Sequence, residues 1–363
     1  MKFGLIYDST DSHITSQYLR QVLPETHCAH FDLNVIKPNA EIEHLIGTMI
    51  ERGTSLDVIL CETGAPGLPH GLNRVSVPTA ILDVDTFGWT PLRLRWAMLF
   101  DYVFTWHPSY ISQFQKVGHK RVFALPHAVD DRLFGRFTAD TDRLYDVGFV
   151  GNSGLPQYRR RDRVISSLSN RFRTNDFRRW HSKEETAEVY RRSKVSVNVS
   201  RTEFPQEANM RCYEAMAGGA LLITGMPTEL TEWGFREGEH FIGWRSEQEI
   251  PDLVDRFLCR KDERLAIAHA GQERTLKDFT YQRCLETIID VIRKDEHQLF
   301  APARHWPPEK IHLLYLSYYH QYRLTGAVLE EFSLLRGVNP RASWRGLPIV
   351  LKTLRNAFRP SQY

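Results

Sequence analysis

Cysteine is scarce in this 363-residue chain. There are five (Cys28, Cys61, Cys212, Cys259 and Cys284), odd in number, widely spaced and never in a Cys-x-x-Cys pair. That argues against a disulfide framework or a zinc ribbon and places the chain in a reducing cytoplasm. Long hydrophobic runs are also missing, and no apolar stretch approaches the length of a membrane span. The opening MKFGLIYDS has no apolar region long enough for a secretory signal and reads as a first strand. No G-x-x-x-x-G-K-[ST] is present, and no G-x-G-x-x-G follows that first strand, which argues against a phosphate-binding P-loop and a dinucleotide oxidoreductase. A nucleophile elbow is absent as well. The formal net charge is only +3, so the information lies in where the charges fall.

What is there is an alternation. Short apolar runs at 3–7, 29–33, 56–61, 79–82, 102–105 and 122–125 are separated by helix-like or turn-rich segments, the pattern of a doubly wound parallel sheet. Residues 62–78 carry Gly and Pro at turn density and read as a loop at the strand ends, where ligand sites form. A polar connection at 125–145 precedes a second alternation: strands near 146–150, 195–199, 220–223 and 241–244, with helices near 160–169, 184–192, 209–217, 246–258 and 262–276. From about 281 to 336 the chain reads as wholly helical, including the aromatic run LLYLSYYHQY at 313–322. This predicts an α/β protein of two doubly wound Rossmann-like domains with a helical C-terminal extension, a description that fits several enzyme folds; the one with a nucleotide in the second half and a cleft between the halves is called GT-B. The boundaries are 1–140, 141–290 and 291–363, the last segment packing back on the first domain.

The most informative stretch is EANMRCYEAMAGGALLITGM at 207–226. Glu214 lies in a short amphipathic helix that stops at Gly218-Gly219, directly before a buried strand. A carboxylate there faces the crevice where open α/β sheets bind nucleotides, and it can accept hydrogen bonds from both ribose hydroxyls. Arg211, three residues earlier on the same face, can set a guanidinium beside a phosphate. Spacing alone equally allows an ordinary core helix with a glycine cap and a surface ion pair.

The second half resembles the group 1 glycosyltransferases, and within them the CgeB-like spore-maturation subgroup. The segments DVGFVGNS (146–153), EVYRRSKVSVNVSR (188–201) and ANMRCYEAMAGGALLIT (208–224) carry the resemblance, which covers about 145–288 in order and spacing. The first half is similar more loosely, through residues 101–130. The resemblance implies transfer of a sugar from a nucleoside diphosphate sugar, a co-substrate rather than a bound cofactor, to an unspecified acceptor: glycan, protein, lipid-linked or small molecule. It implies Glu214 as the ribose carboxylate, Gly151 and Asn152 beneath the donor phosphates, and Asn209 and Arg211 beside the donor. One departure stands out. Many retaining relatives have a second glutamate eight positions before the ribose carboxylate, where this chain has Gln206, with Glu207 one position off. Retention or inversion of the sugar's configuration is therefore left open.

Other residues compete for roles. Eight arginines lie between 158 and 179, and Arg159 or Arg160, nearest the Gly151 loop, is the expected phosphate ligand. The cluster lacks interleaved stacking aromatics, which argues against nucleic acid. Asp83-Val84-Asp85 has the form of a metal-binding Asp-x-Asp, but the two-domain pattern argues against metal use. Asp85 and His107, each after a strand, are candidate bases for the acceptor hydroxyl, and His127 is a similar case. Finally, 341–363 holds five basic residues, no acidic one and interleaved apolar residues. It reads either as a closing segment packed on the first domain or as an interfacial helix on the inner face of a membrane, its length restricted by Pro348. Epimerisation or hydrolysis of a nucleotide sugar, or a non-catalytic surface or morphogenetic role, remain the alternatives to transfer.

Overall fold

The computed structural model describes residues 2–7, 28–32, 39–51, 55–62, 68–84, 86, 90–201, 203–295 and 299–357. The chain forms two compact units, Met1–Leu125 with Glu286–Tyr363, and Pro126–Leu285.

In the first unit, six parallel strands are ordered β2-β1-β3-β4-β5-β6. They are β1 (Phe3–Tyr7), β2 (Cys28–Asp32), β3 (Val58–Glu62), β4 (Thr79–Asp83), β5 (Tyr102–Thr105) and β6 (Val122–Ala124). The order reverses direction after β2, which creates the switch point of a doubly wound sheet between β1 and β3. Every residue of β4 and β5 is buried, as expected of central strands covered on both faces. Helices α1 (Ile42–Glu51), α2 (Thr90–Ala97) and α3 (Ile111–Lys116) connect them.

The second unit has four parallel strands ordered β10-β9-β8-β7: β7 (Tyr145–Gly148), β8 (Ser193–Asn198), β9 (Leu221–Thr224) and β10 (Ile242–Gly243). Its helices are α4 (Asp131–Phe134), α5 (Arg159–Arg171), α6 (Lys183–Arg191), α7 (Met210–Ala217), α8 (Thr228–Glu232), α9 (Ile250–Cys259) and α10 (Lys261–Asp278). One core joins Val147, Val195, Val197, Leu221 and Ile223 of the sheet to Val164, Ile165 and Leu168 of α5 and to Val254 and Phe257 of α9. A second core holds Leu222 with Ala187 and Tyr190 of α6 and Ala215 and Met216 of α7. Ser182 starts α6 with a reciprocal capping box to Glu185. Gly219, at φ +74°, ends α7 in the left-handed conformation and lets the chain enter β9 at once.

Helix α11 (Tyr281–Lys294) is followed by α12 (Pro308–Gln321), α13 (Thr325–Val338) and α14 (Pro340–Ala357). The segment 281–336, expected to be wholly helical, contains a non-helical stretch: between 299 and 307 the only helix is a short 3-10 turn, Pro302–His305, in a stretch punctuated by Pro302 and Pro307. The aromatic run does lie on a helix, and it faces inward. Tyr315 and Tyr319 donate their hydroxyls to the carbonyls of Pro69 (2.6 Å) and Leu68 (3.0 Å), and Tyr318 packs 4.2 Å from Trp96. Buried Asp101 accepts from the Thr79 N–H (2.8 Å) and from the Ala301 N–H (2.7 Å), tying the sheet to the returning chain. Helix α14 runs straight through Pro348, so this proline does not limit the helix as its sequence position suggests. Gly346 permits the close approach behind it: a Cβ there would lie 2.8 Å from Leu316 and 3.1 Å from Leu335.

Candidate functional site

In the second unit the carboxyl ends of β7 and β8 lead through the loops 149–158 and 199–209 into α5 and α7. Strand ends of this kind present backbone N–H groups and helix N-termini to ligands. Asn198, the last residue of β8, organises the site. It donates to Thr224 Oγ1 (3.0 Å) at the end of β9, which aims its own Oδ1 at α7. That oxygen accepts from Asn209 Nδ2 (3.3 Å) and from Arg211 Nε (3.4 Å). Asn209, the residue preceding α7, also donates to Ser200 Oγ (3.0 Å), while its buried Oδ1 has no hydrogen-bond partner among the described residues.

Glu214 sits one turn on from Arg211 and is 5 % exposed. Its Oε1 lies 3.4 Å from Lys183 Nζ, at the start of α6. Tyr190 is close by: burial first, and then the Glu214 charge, push its hydroxyl well above the usual tyrosine range. Gly151 passes tightly by the same helix, since a Cβ there would lie 3.1 Å from Phe149 Cζ and 3.4 Å from Arg211 Cδ. Gly151, Asn209, Arg211 and Glu214 are thus gathered at one end of one sheet.

Arg161 joins the two loops. It is 4 % exposed, and it donates to the carbonyls of Asn152 (2.7 Å) and Val199 (3.1 and 3.0 Å) while lying 4.5 Å from the Tyr158 ring. Burial brings its pKa down to about 10, and the positive charges of Arg211 and Arg201 push the same way. Arg201 in turn donates to the Tyr158 hydroxyl (2.9 Å). The hydrogen bonds of Arg161 and Arg211 all go to neutral oxygens, so this end of the sheet carries concentrated positive charge suited to an anion.

The expected phosphate ligands fare differently. Arg159 opens α5 at the surface, and Arg160 pairs with Glu247 and lies 5.2 Å from the Trp244 ring. Arg161 was identifiable from its phase, because 161, 164, 165 and 168 form one helical stripe that is otherwise apolar. Lys183 and Arg201 escaped the sequence reading. Only the capping pattern around Ser182 marked the helix start that carries Lys183.

In the first unit, Asp85 lies outside the described residues. Asp83 is buried, accepts from the Thr86 hydroxyl and has Arg93 Nε at 3.8 Å, so its carboxylate is engaged within the fold. His107 is 1 % exposed and stands just before the turn Pro108–Tyr110, its N–H donating to Thr105 Oγ1 (3.3 Å). His127, in the second unit, is buried 5.9 Å from the Tyr213 ring. Within the first unit His70, His312 and Glu331 bring metal-ligating atoms together, but each Glu331 oxygen is 2.7 Å from one imidazole nitrogen.

Residues 135–290 match the family model described as glycosyl transferase-like. No curated protein matches the chain by sequence. Among solved structures, HepE of Anabaena in complex with UDP-glucose is similar over 81 % of this chain and 100 % of its own, with 12 % identity and a TM-score of 0.57. A sucrose-phosphate synthase from Thermosynechococcus elongatus is similar over 82 % and 99 %, with 12 % identity and a TM-score of 0.54. A glycosyltransferase from Rickettsia africae is similar over 81 % and 98 %, with 10 % identity and a TM-score of 0.57. The fold is GT-B, with a helical C-terminal extension. In GT-B terms the matched segment takes in all four strands of the second sheet, and with them the Asn198–Arg211–Glu214 constellation.

Proposed function

We propose that this protein is a glycosyltransferase that takes a sugar from a nucleoside diphosphate sugar held by the second unit. The observation that carries the reading is the buried Glu214 carboxylate one helical turn from the Arg211–Arg161 cationic cluster, beside the Gly151 loop. Glu214 accepts the ribose hydroxyls, displacing Lys183, and Lys183 then turns to the donor. Arg211 and the backbone N–H groups near Gly151 and Asn152 meet the diphosphate, and Asn209 Oδ1 accepts from a donor hydroxyl. The leaving diphosphate gains negative charge in the transition state, and fixed guanidiniums stabilise it without a metal ion. HepE, of the same fold, has been crystallised with UDP-glucose and with UDP, which supports this class of donor.

The first unit receives the acceptor, with His107 or Asp85 taking the proton from its hydroxyl. The sugar is a hexose, the affinities lie with the CgeB-like group, and the reaction takes place in the cytoplasm. Calorimetric titration with UDP, GDP and dTDP in the presence of a chelator tests the donor site. One of the three should bind, and Glu214→Ala should weaken it by about 1–3 kcal/mol, roughly five- to 150-fold. Unchanged affinity in a folded variant removes the ribose assignment. Release of free sugar with every acceptor offered would instead mark a hydrolase.

A further inference from the structure

We propose that the outer face of α14 docks on an anionic phospholipid surface, an inference independent of the donor reading. The helix has two unlike faces. Ala342, Ser343, Gly346, Val350 and Thr353 face inward and are buried, Gly346 lying against Leu316 and Leu335. The bulky apolar residues that would ordinarily face inward point out: Trp344 is 73 % exposed and Leu351 58 % exposed, seven positions apart on one side of the helix. Arg341, Arg345, Lys352 and Arg355 are exposed on the same half of the cylinder, and the helix contains no carboxylate. On α13, Leu334 and Val338 are exposed as well (45 % and 49 %).

A tryptophan and a leucine set among four cations is the composition of a helix lying in the headgroup region, its apolar side chains inserted and its cations on lipid phosphates. A second copy of this face would set four cations against four, so charge complementarity selects an anionic partner. A single aromatic offers no stacking track for a nucleic acid strand. No helix among the described residues is long and apolar enough to cross a membrane, so the contact is peripheral.

The test is flotation of the full chain with vesicles of phosphatidylcholine alone or with about 30 % phosphatidylglycerol, at low and high salt. The protein should float with the anionic vesicles only, and added salt should release it. Arg345→Glu with Lys352→Glu should lower partitioning about twentyfold or more, since each cation near an anionic leaflet contributes roughly fivefold. Trp344→Ser with Leu351→Ser should lower it about tenfold or more, through lost insertion. These exposed positions leave the melting temperature unchanged, which separates lost docking from lost folding. Absence of flotation, equal partitioning onto neutral vesicles, or double variants that float like the parent would each overturn the proposal. So would a concentration-dependent dimer that the same variants dissolve without any vesicle binding.

Discussion

Glu331 offers the sharpest test of how the helical extension is held to the first sheet. It is fully buried in the middle of α13, with His70 Nε2 and His312 Nδ1 each 2.7 Å from one of its oxygens. His70 precedes a turn of the first unit and stacks on Tyr315 at 3.9 Å, so the carboxylate joins α12 and α13 to residues 68–72. Burial alone would push the Glu331 carboxyl up, but hydrogen bonds from His312 and His70 outweigh it and hold the carboxyl below the usual range. Glu331→Ala leaves two imidazole nitrogens, the buried one of His70 and the partly buried one of His312, without their partner, at about 1–3 kcal/mol each. The expected loss is about 3–5 kcal/mol, the range seen when one partner of a buried pair is removed. For a unit of this size that is a fall of roughly 6–20 °C in melting temperature. Glu331→Gln keeps one acceptor and should cost about half as much.

The pH dependence has a definite sign. A carboxyl with a depressed folded pKa contributes stability that is present above its unfolded pKa, about 4.3, and is lost as pH falls through the lower folded value. Urea melts of the parent should therefore weaken below about pH 4.5, and Glu331→Gln should flatten that part of the curve. A Glu331→Ala variant within about 1 kcal/mol of the parent would refute the reasoning. So would a chelator that lowers the parent's melting temperature, because the two imidazoles would then be ligating a metal ion rather than donating to a carboxylate.

Two further outcomes follow from the second unit. Arg161→Lys removes the fork that bonds the carbonyls of Asn152 and Val199, so nucleotide affinity should fall about tenfold while Arg211 remains in place. Calorimetry checks it, and an unchanged affinity would free the loops from this role. Gly148→Ala would push a Cβ into Ser193 Oγ, with Ser193 Cβ at 2.8 Å, between two paired strands. A loss of about 1–3 kcal/mol in urea unfolding is expected, and a neutral substitution would show that the two strands can separate at no cost.

Much of the fold could be read from short apolar runs. The runs read at 102–105 and 220–223 became the fully buried strands β5 and β9, the second shifted by one residue, because each is apolar, too short to be a helix and preceded by Asp101 or by the Gly218-Gly219 turn. The positions of Glu214 and Gly219 followed from the glycine pair that ends α7. The interruption near residue 300 was missed because helical periodicity on both sides concealed a stretch with Pro302 and Pro307. The charged residues divide along a physical line. Arg161 and Glu331 each occupy an apolar stripe of their helix, Arg161 with Val164, Ile165 and Leu168, and Glu331 with Val328 and Leu335. Periodicity alone marks both as buried charges that require partners. It does not name the partners. Arg161 is matched by two backbone carbonyls, to which any residue type contributes equally, and Glu331 by His70, 261 positions away. A charge in an apolar stripe therefore announces its burial locally, while its compensation is set by tertiary contacts that leave no trace in the spacing of the sequence.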